Sequence, residues 1–326
     1  MNMQTFYKFK HNDSSIEKKS SSGGAFTMLS DKILNAGGII YGCVLDENLN
    51  AVHIRADKKE ERDRMRGSKY IQSDLSTAYS LIASDLMNNK MVLFSGTPCQ
   101  VSAVKNYLRV KNVSTDNFIS VEVICHGVGS SLFFHDYVAE KEKKYHSKAV
   151  SVNFRSKYRA GQKQDMTILF ENGKAYHAAS TNLDWFYSIY LKNLILRPSC
   201  YKCKFAKMER EADISIADFW GIEEKNPYSL IVCNTEKGRS LLEKPIDGVL
   251  TVVNKDTVHQ PHMKAPCGVP ERRNEFWTMY HKNGYEAVQT LFGNNTFKGK
   301  MKYCMADILQ TLHIAEAVKQ VIKKSK

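Results

Sequence analysis

No cysteine precedes Cys43, only three tryptophans and seven prolines occur in 326 residues, and acidic side chains are outnumbered by basic ones, 34 to 47. No run approaches the ~20 consecutive apolar residues of a membrane-spanning helix. The longest are strand-sized, as at 91–94, MVLF. The opening stretch MNMQTFYKFKHNDSS has no apolar core of the signal-peptide kind. These absences exclude a membrane span, argue against secretion and predict a cytoplasmic protein. No internal repeat or low-complexity linker interrupts the chain, and neither a Walker loop nor GxGxxG occurs. The excess of base, a net charge of +13, is scattered or clustered among glutamates and at the C-terminus, without a recognition-helix pattern. That distribution points away from nucleic acid and toward anionic cofactors or acidic redox partners.

What is present is a globular chain, 43% hydrophobic and long enough for one large or two ordinary domains. Phe26, Leu29, Ile33 and Leu34 recur at helical spacing between SSSGG and Gly37, so a serine-capped helix is expected there. GIIYGCVLD (38–46) and AVHIRAD (51–57) read as a strand hairpin, followed by a helix near 75–88. MVLFSGTPCQ (91–100) is a buried strand entering a loop, with a helix at 101–108, and FISVEVICHG (118–127) repeats the strand-to-loop plan. A hairpin at 150–178, a helix at 182–195, two strands in ADISIADFWG and YSLIVCNT, a helix from GRSLLEK and a helical C-terminal part complete the reading. The expected fold is α/β, a mixed and mostly parallel sheet with flanking helices. It comprises a polar lead-in over 1–19, a single domain over 20–270 and a helical extension over 271–326, whose tail carries an apolar face of Ile308, Leu312, Ala315 and Val318. Ligands of such sheets gather at the carboxyl ends of strands.

Cys99 and Cys125 each follow a buried strand, and Cys200 and Cys203 form a C-x2-C pair in SCYKCKFA. Four thiolates suit zinc or an iron–sulfur cluster equally, and spacing alone leaves the two undecided. Cys43, Cys233 and Cys304 read as core residues, and Cys267 in APCGVP as exposed and ambiguous. Two segments offer places for a phosphate-bearing cofactor. Ser21, Ser22, Gly23, Gly24 and Thr27 sit at a helix start, where free N–H groups and the dipole favour an anion. Arg66, Gly67, Ser68, Lys69 and Tyr70 put cationic, small and aromatic groups together. The bland readings are a capped helix and a charged surface turn.

SSGGAFT, GSKYIQSD, SGTPCQV, ICHG, CYKCKFA with ADISIADFWG, and SLIVCNTEKG occur in this order. Over residues 20–285 the chain thereby resembles the beta subunit of coenzyme F420-reducing hydrogenase and its dehydrogenase relatives, including 7-hydroxymethyl chlorophyll a reductase-like and formate-dehydrogenase-associated members. The resemblance implies an oxidoreductase with FAD beside a 4Fe-4S cluster. Cys99, Cys125, Cys200 and Cys203 would be the cluster ligands, and the segments at 22–27 and 67–70 part of the FAD site. Two departures stand out. The C-x2-C-x2-C-x3-C ferredoxin-like module of many members is missing, which implies an external electron donor or acceptor, a ferredoxin-like protein or coenzyme F420. ICHGVGSS replaces ICHGVPSP, which leaves the small-molecule substrate open. Members with the DFWG style resemble reductases of other substrates, some tied to surface-polysaccharide synthesis.

His126, next to a candidate ligand, is the expected proton donor, with a hydrogen bond to a cluster sulfur as its structural counterpart. Asp218 would bond a flavin ring nitrogen or cap a turn, and Trp220 would be core or a stacking wall. Arg155 and Lys157 read as a solvated strand edge with some capacity for an anionic substrate. The alternative to the whole redox reading is a zinc-stabilised, non-catalytic binding or scaffold protein.

Overall fold

The computed structural model describes residues 4–157, 165–178, 184–220, 228–243, 247–293 and 297–311. In chain order the strands are β1 (Thr5–His11), β2 (Ile39–Leu45), β3 (Ala51–Ala56), β4 (Val92–Gly96), β5 (Phe118–Val123), β6 (Ala149–Ser156), β7 (Asp165–Phe170), β8 (Ala175–His177), β9 (Ile214–Asp218), β10 (Ser229–Cys233) and β11 (Gly248–Val253). The helices are α1 (Ser14–Lys19), α2 (Ala25–Asn35), α3 (Lys59–Asp63), α4 (Ala78–Met87), α5 (Pro98–Val110), α6 (Ser131–Tyr145), α7 (Trp185–Leu191), α8 (Glu236–Glu243), α9 (Arg273–Phe292) and α10 (Phe297–Thr311). They fall into two compact units that interleave along the chain. The first is Met1–Gly127 with Lys202–Cys267, and the second is Val128–Tyr201 with Gly268–Lys326.

The first unit is built on an eight-stranded sheet in the order β11-β1-β10-β9-β5-β4-β2-β3. The expected α/β class and mixed sheet hold, with the parallel pairs confined to β2–β4, β4–β5 and β5–β9 at the centre. The other four pairings are antiparallel, so the parallel share is smaller than the strand–loop–helix pattern suggested. Alternation in the strands sends successive residues to opposite faces. Ile40 and Val44 of β2 join Leu29 and Ile33 of α2 and Leu241 of α8 on one side. Ile39 and Tyr41 join Ile82 of α4 and Val104 and Leu108 of α5 on the other.

Within the lead-in expected over 1–19, Thr5–His11 form β1, which pairs antiparallel with both β10 and β11. Its sequence, TFYKFKH, hid this because only Phe6 and Phe9 are strongly apolar, and they are buried on opposite faces.

The second unit has a three-stranded antiparallel sheet, β6-β7-β8, with α6, α7, α9 and α10. Its core is aromatic, with Phe133, Phe134, Phe154, Phe186 and Phe276 all buried. Asp184 caps α7 by accepting from Tyr187 N at 3.0 Å, and also accepts from the hydroxyls of Tyr137 at 2.7 Å and Tyr176 at 2.8 Å. Lys141 is buried with its ammonium 4.3–5.0 Å from the ring centres of Tyr137, Tyr176 and Trp185. Gly284, with φ of 77°, breaks α9 into two helical pieces. Of the apolar face expected on the C-terminal tail, Ile308 is exposed on α10, while Leu312, Ala315 and Val318 lie outside the described residues.

Candidate functional site

In the first unit the two segments singled out in the sequence, 21–27 and 66–70, meet. The Ser21 and Ser68 hydroxyls are 3.1 Å apart, and Ser68 N also donates to Ser21 Oγ at 3.1 Å. Arg66 Nε donates to Thr27 Oγ1 at 3.0 Å, and Arg62 Nη1 to Thr27 O at 3.1 Å. Asp63 holds both guanidiniums, at 3.0 Å from Arg62 and 2.7 Å from Arg66. Two guanidiniums therefore stand against the first turn of α2, whose dipole favours an anion.

No serine caps α2. Its N-cap is Gly24 in the left-handed region at φ of 88°, without a side-chain cap bond. The serines are engaged elsewhere: Ser22 Oγ lies 2.8 Å from Ser229 Oγ, which also accepts from Gly23 N at 3.0 Å. Ser229 opens β10 opposite Asp218 of β9, so the carboxylate expected at the cofactor shares this end of the sheet. Asp218 O accepts from Gln260 Nε2 at 2.6 Å. Lys69 turns its ammonium onto the carbonyls of Arg64, Met65 and Arg66 at 3.3, 3.0 and 3.0 Å, closing the turn before Gly67. Burial pushes its pKa down to about 8. Gly67 itself is left-handed at φ of 79°, with open space where a side chain would project. Tyr70 is half-buried beside it in sequence.

Cys99 is not in a loop. Pro98 starts α5 directly after β4, placing Cys99, exposed, in the first helical turn, 3.1 Å from Thr97 Oγ1. Cys125 lies two residues past β5 and is half-buried. Gly96 of β4 and Glu122 of β5 are register partners, so Cys99 and Cys125 each stand three residues beyond the same rung of adjacent parallel strands. Cys203 opens a loop tied to that strand, because Arg210 donates to Glu122 of β5 and to the carbonyls of Phe205 and Lys207 at 3.1 and 2.9 Å. Cys200 lies in the short 3-10 turn Pro198–Lys202, where its N–H donates to Arg197 O at 2.8 Å. The boundary between the two units passes through the C-x2-C pair.

Several expectations are corrected. Cys267 is buried, at 7% exposure, and Cys304 is exposed rather than core. Trp220 is 45% exposed, and Phe219 beside it is the buried aromatic. Arg155 and Lys157 are half-buried at and just past the end of β6, in the second unit. His126 has a partner the sequence did not suggest, since its Nδ1 lies 2.9 Å from Nε2 of His262, with the rings at 88°. Burial lowers the His262 pKa from its usual value. Ser229, His262 and Cys267 were missed as site residues. A lone hydroxyl opening the otherwise apolar strand SLIVC, and the H-x4-C spacing in HMKAPC, are the only sequence traces of them.

A mixed sheet with a parallel centre, flanked by helices, defines the class as an α/β fold. Residues 89–257 match the family model that describes the C terminus of the coenzyme F420 hydrogenase/dehydrogenase beta subunit, and the chain belongs to that family. It is similar to a chain in the structure titled as a xenon derivatization of the F420-reducing [NiFe] hydrogenase complex from Methanosarcina barkeri. That likeness is at 16% identity and a TM-score of 0.52, covering 88% of this chain and 90% of that one, and it supports the shared fold. No curated protein matches. Among the described residues no helix is long and apolar enough to cross a membrane.

Proposed function

We propose that the chain is an oxidoreductase that binds FAD where residues 21–27 and 66–70 meet, and a 4Fe-4S cluster through Cys99, Cys125, Cys200 and Cys203. The observation that carries the reading is the joining of the two segments by Ser21 with Ser68 and Thr27 with Arg66. The residues suit a dinucleotide. The α2 start and Arg66 offer charge to a pyrophosphate, the two serines offer hydroxyls, and Gly67 leaves an open cradle. The thiols suit a cluster, since thiolate sulfur is the usual ligand of iron–sulfur centres.

When bound, a flavin and a cluster together supply the exchange between paired and single electrons. This chain's residues do the holding. Arg66 is itself fixed by Asp63, Lys69 shapes the turn that presents Gly67 and Ser68, and Asp218 sets a carboxylate opposite Ser229. Family membership supports redox chemistry, and an external electron partner, a ferredoxin-like protein or coenzyme F420, with a small organic substrate completes the proposal. The charge of +13 favours acidic partners. We place the protein in the cytoplasm, where thiols stay reduced. None of its eight cysteines is disulfide-bonded.

Anaerobic purification followed by flavin and metal analysis tests this. FAD and iron are expected together, and Arg66→Ala should weaken FAD binding by roughly tenfold to a hundredfold, the ~1.5–3 kcal/mol of a charge-assisted hydrogen bond. Ser68→Ala, which leaves the Arg66–Asp63 pair intact, should weaken it less. A colourless preparation with zinc and no flavin would sink the proposal in favour of a zinc-stabilised scaffold.

A further inference from the structure

We propose that His126, His262 and Cys267 form a second, mononuclear metal site, for a divalent ion of the zinc class, separate from the four-cysteine set. All three belong to the first unit. One donor atom from each can be chosen so that all lie within 4.8 Å of one another. His126 Nδ1 is 2.9 Å from His262 Nε2, and Cys267 Sγ is 3.8 Å from either ring nitrogen of His126 and 4.0 Å from His262 Nδ1. Zinc–nitrogen bonds of about 2.0–2.1 Å and a zinc–sulfur bond of about 2.3 Å, set tetrahedrally, put the donors roughly 3.3–3.6 Å apart. With Nδ1 as the His126 donor, the 2.9 Å to His262 Nε2 and the 3.8 Å to Cys267 Sγ lie on either side of those values, so side-chain adjustments would close the site.

The two arms of the site are anchored to one strand. Ile124, two residues before His126, donates its N–H to Ile216 O of β9 at 3.0 Å. The segment carrying His262 is fixed to the end of β9 by Gln260 Nε2 on Asp218 O at 2.6 Å and by His259 N on Trp220 O at 3.1 Å. Met263, buried against Phe219, and the bond from Ala265 N to Pro261 O at 3.1 Å hold the turn from which Cys267 follows. A preorganised set loses little freedom on binding an ion.

The donor chemistry selects the ion. Two imidazoles and one thiol suit zinc and reject the oxygen-seeking calcium and magnesium. Three protein ligands leave a fourth tetrahedral position for water, the arrangement of an open rather than a closed zinc site. His126 is then a ligand, not the proton donor expected from its place beside Cys125, and neighbouring residues serve two separate centres. The inference stands on the trio alone and does not depend on bound flavin.

The test uses the full chain, chelator-stripped anaerobically and titrated with cobalt(II) alone, then with zinc(II). One equivalent of cobalt should give the visible ligand-field bands of a tetrahedral ion and a thiolate charge-transfer band, both removed by zinc. His262→Gln and Cys267→Ser should each lose that equivalent while a Cys99→Ser/Cys203→Ser chain keeps it. No such bands in the wild-type chain, or bands that persist in both trio variants and vanish in the Cys99→Ser/Cys203→Ser chain, would overturn the assignment. Should the trio variants lose the native far-ultraviolet spectrum, X-ray absorption of the zinc-loaded wild-type chain decides. A shell with one sulfur supports the site, and a shell of four sulfurs refutes it. FAD content, read in parallel, should not change in His262→Gln, which separates this result from the fate of the flavin proposal.

Discussion

Gly23 has no space for a side chain, since a Cβ there would sit 2.2 Å from Phe9 O and 2.7 Å from Ser229 N, both backbone atoms of neighbouring strands. Gly23→Ala must therefore push β1 or β10 out of place, at a cost of about 1–3 kcal/mol or more for such overpacking, and a thermal melt should show a clearly lowered midpoint. His53 is constrained in another way. It is buried on β3 opposite Cys43, stacked at 5.2 Å on Phe94, with Nε2 3.1 Å from Ser95 O and Nδ1 buried without a hydrogen-bond partner. Burial lowers its pKa from 6.5 to about 4, helped by the charge of Lys69 and opposed by that of Asp74. The folded state thus binds the proton less readily than the unfolded chain. The stability from neutral His53 is complete above pH 6.5 and is lost as pH falls toward about 4. The loss over that window is ~3 kcal/mol by linkage. Urea unfolding at neutral pH and near pH 5 should show a steeper pH dependence for the wild type than for His53→Gln. Equal slopes would refute the burial argument.

At the scale of elements, one carboxylate organises much of the second unit. Asp184 starts α7 and at the same time accepts from Tyr137 of α6 and Tyr176 of β8, all within a buried setting. Asp184→Asn exchanges two charge-assisted acceptors for one carbonyl and two surplus donors. It should cost about 1–3 kcal/mol, with Asp184→Ala costing more because two tyrosine hydroxyls are stranded. Denaturant midpoints would check the order. In the first unit, the Arg210–Glu122 pair plays a comparable part. Both side chains are almost wholly buried, and together they tie the loop after Cys203 to the strand that precedes Cys125. Neither role was visible in the sequence. The partners Tyr137 of Asp184 and Arg210 of Glu122 lie 47 and 88 residues away along the chain.

At the scale of the whole molecule, the chain belongs to its family on the strength of a central segment, residues 89–257, that itself spans both units. No linker in the sequence marks the crossings between the two interleaved units near 127, 201 and 267. Strands whose apolar residues alternate or run together, β2 to β5, β9 and β10, were legible, as were α2, α4 and α5, since hydrophobic period reports burial directly. β1 was not, having only two strongly apolar residues, and its place between β10 and β11 is decided by long-range pairing.

The same division runs through the candidate site. By itself the sequence determined which chemistry was on offer: thiols at Cys99, Cys125, Cys200 and Cys203, hydroxyls and glycines before α2, and a cationic turn at 66–70. Side-chain type is a local property, and it is carried by the residue wherever the chain goes. Only the tertiary structure decided which of these groups meet. It joined Ser21 to Ser68, aimed Lys69 at backbone carbonyls, and set His126 against His262 and Cys267, 136 and 141 residues away. Contacts at such separations are chosen by sheet order and register, which depend on the packing of the whole unit and leave no periodic trace in any one segment.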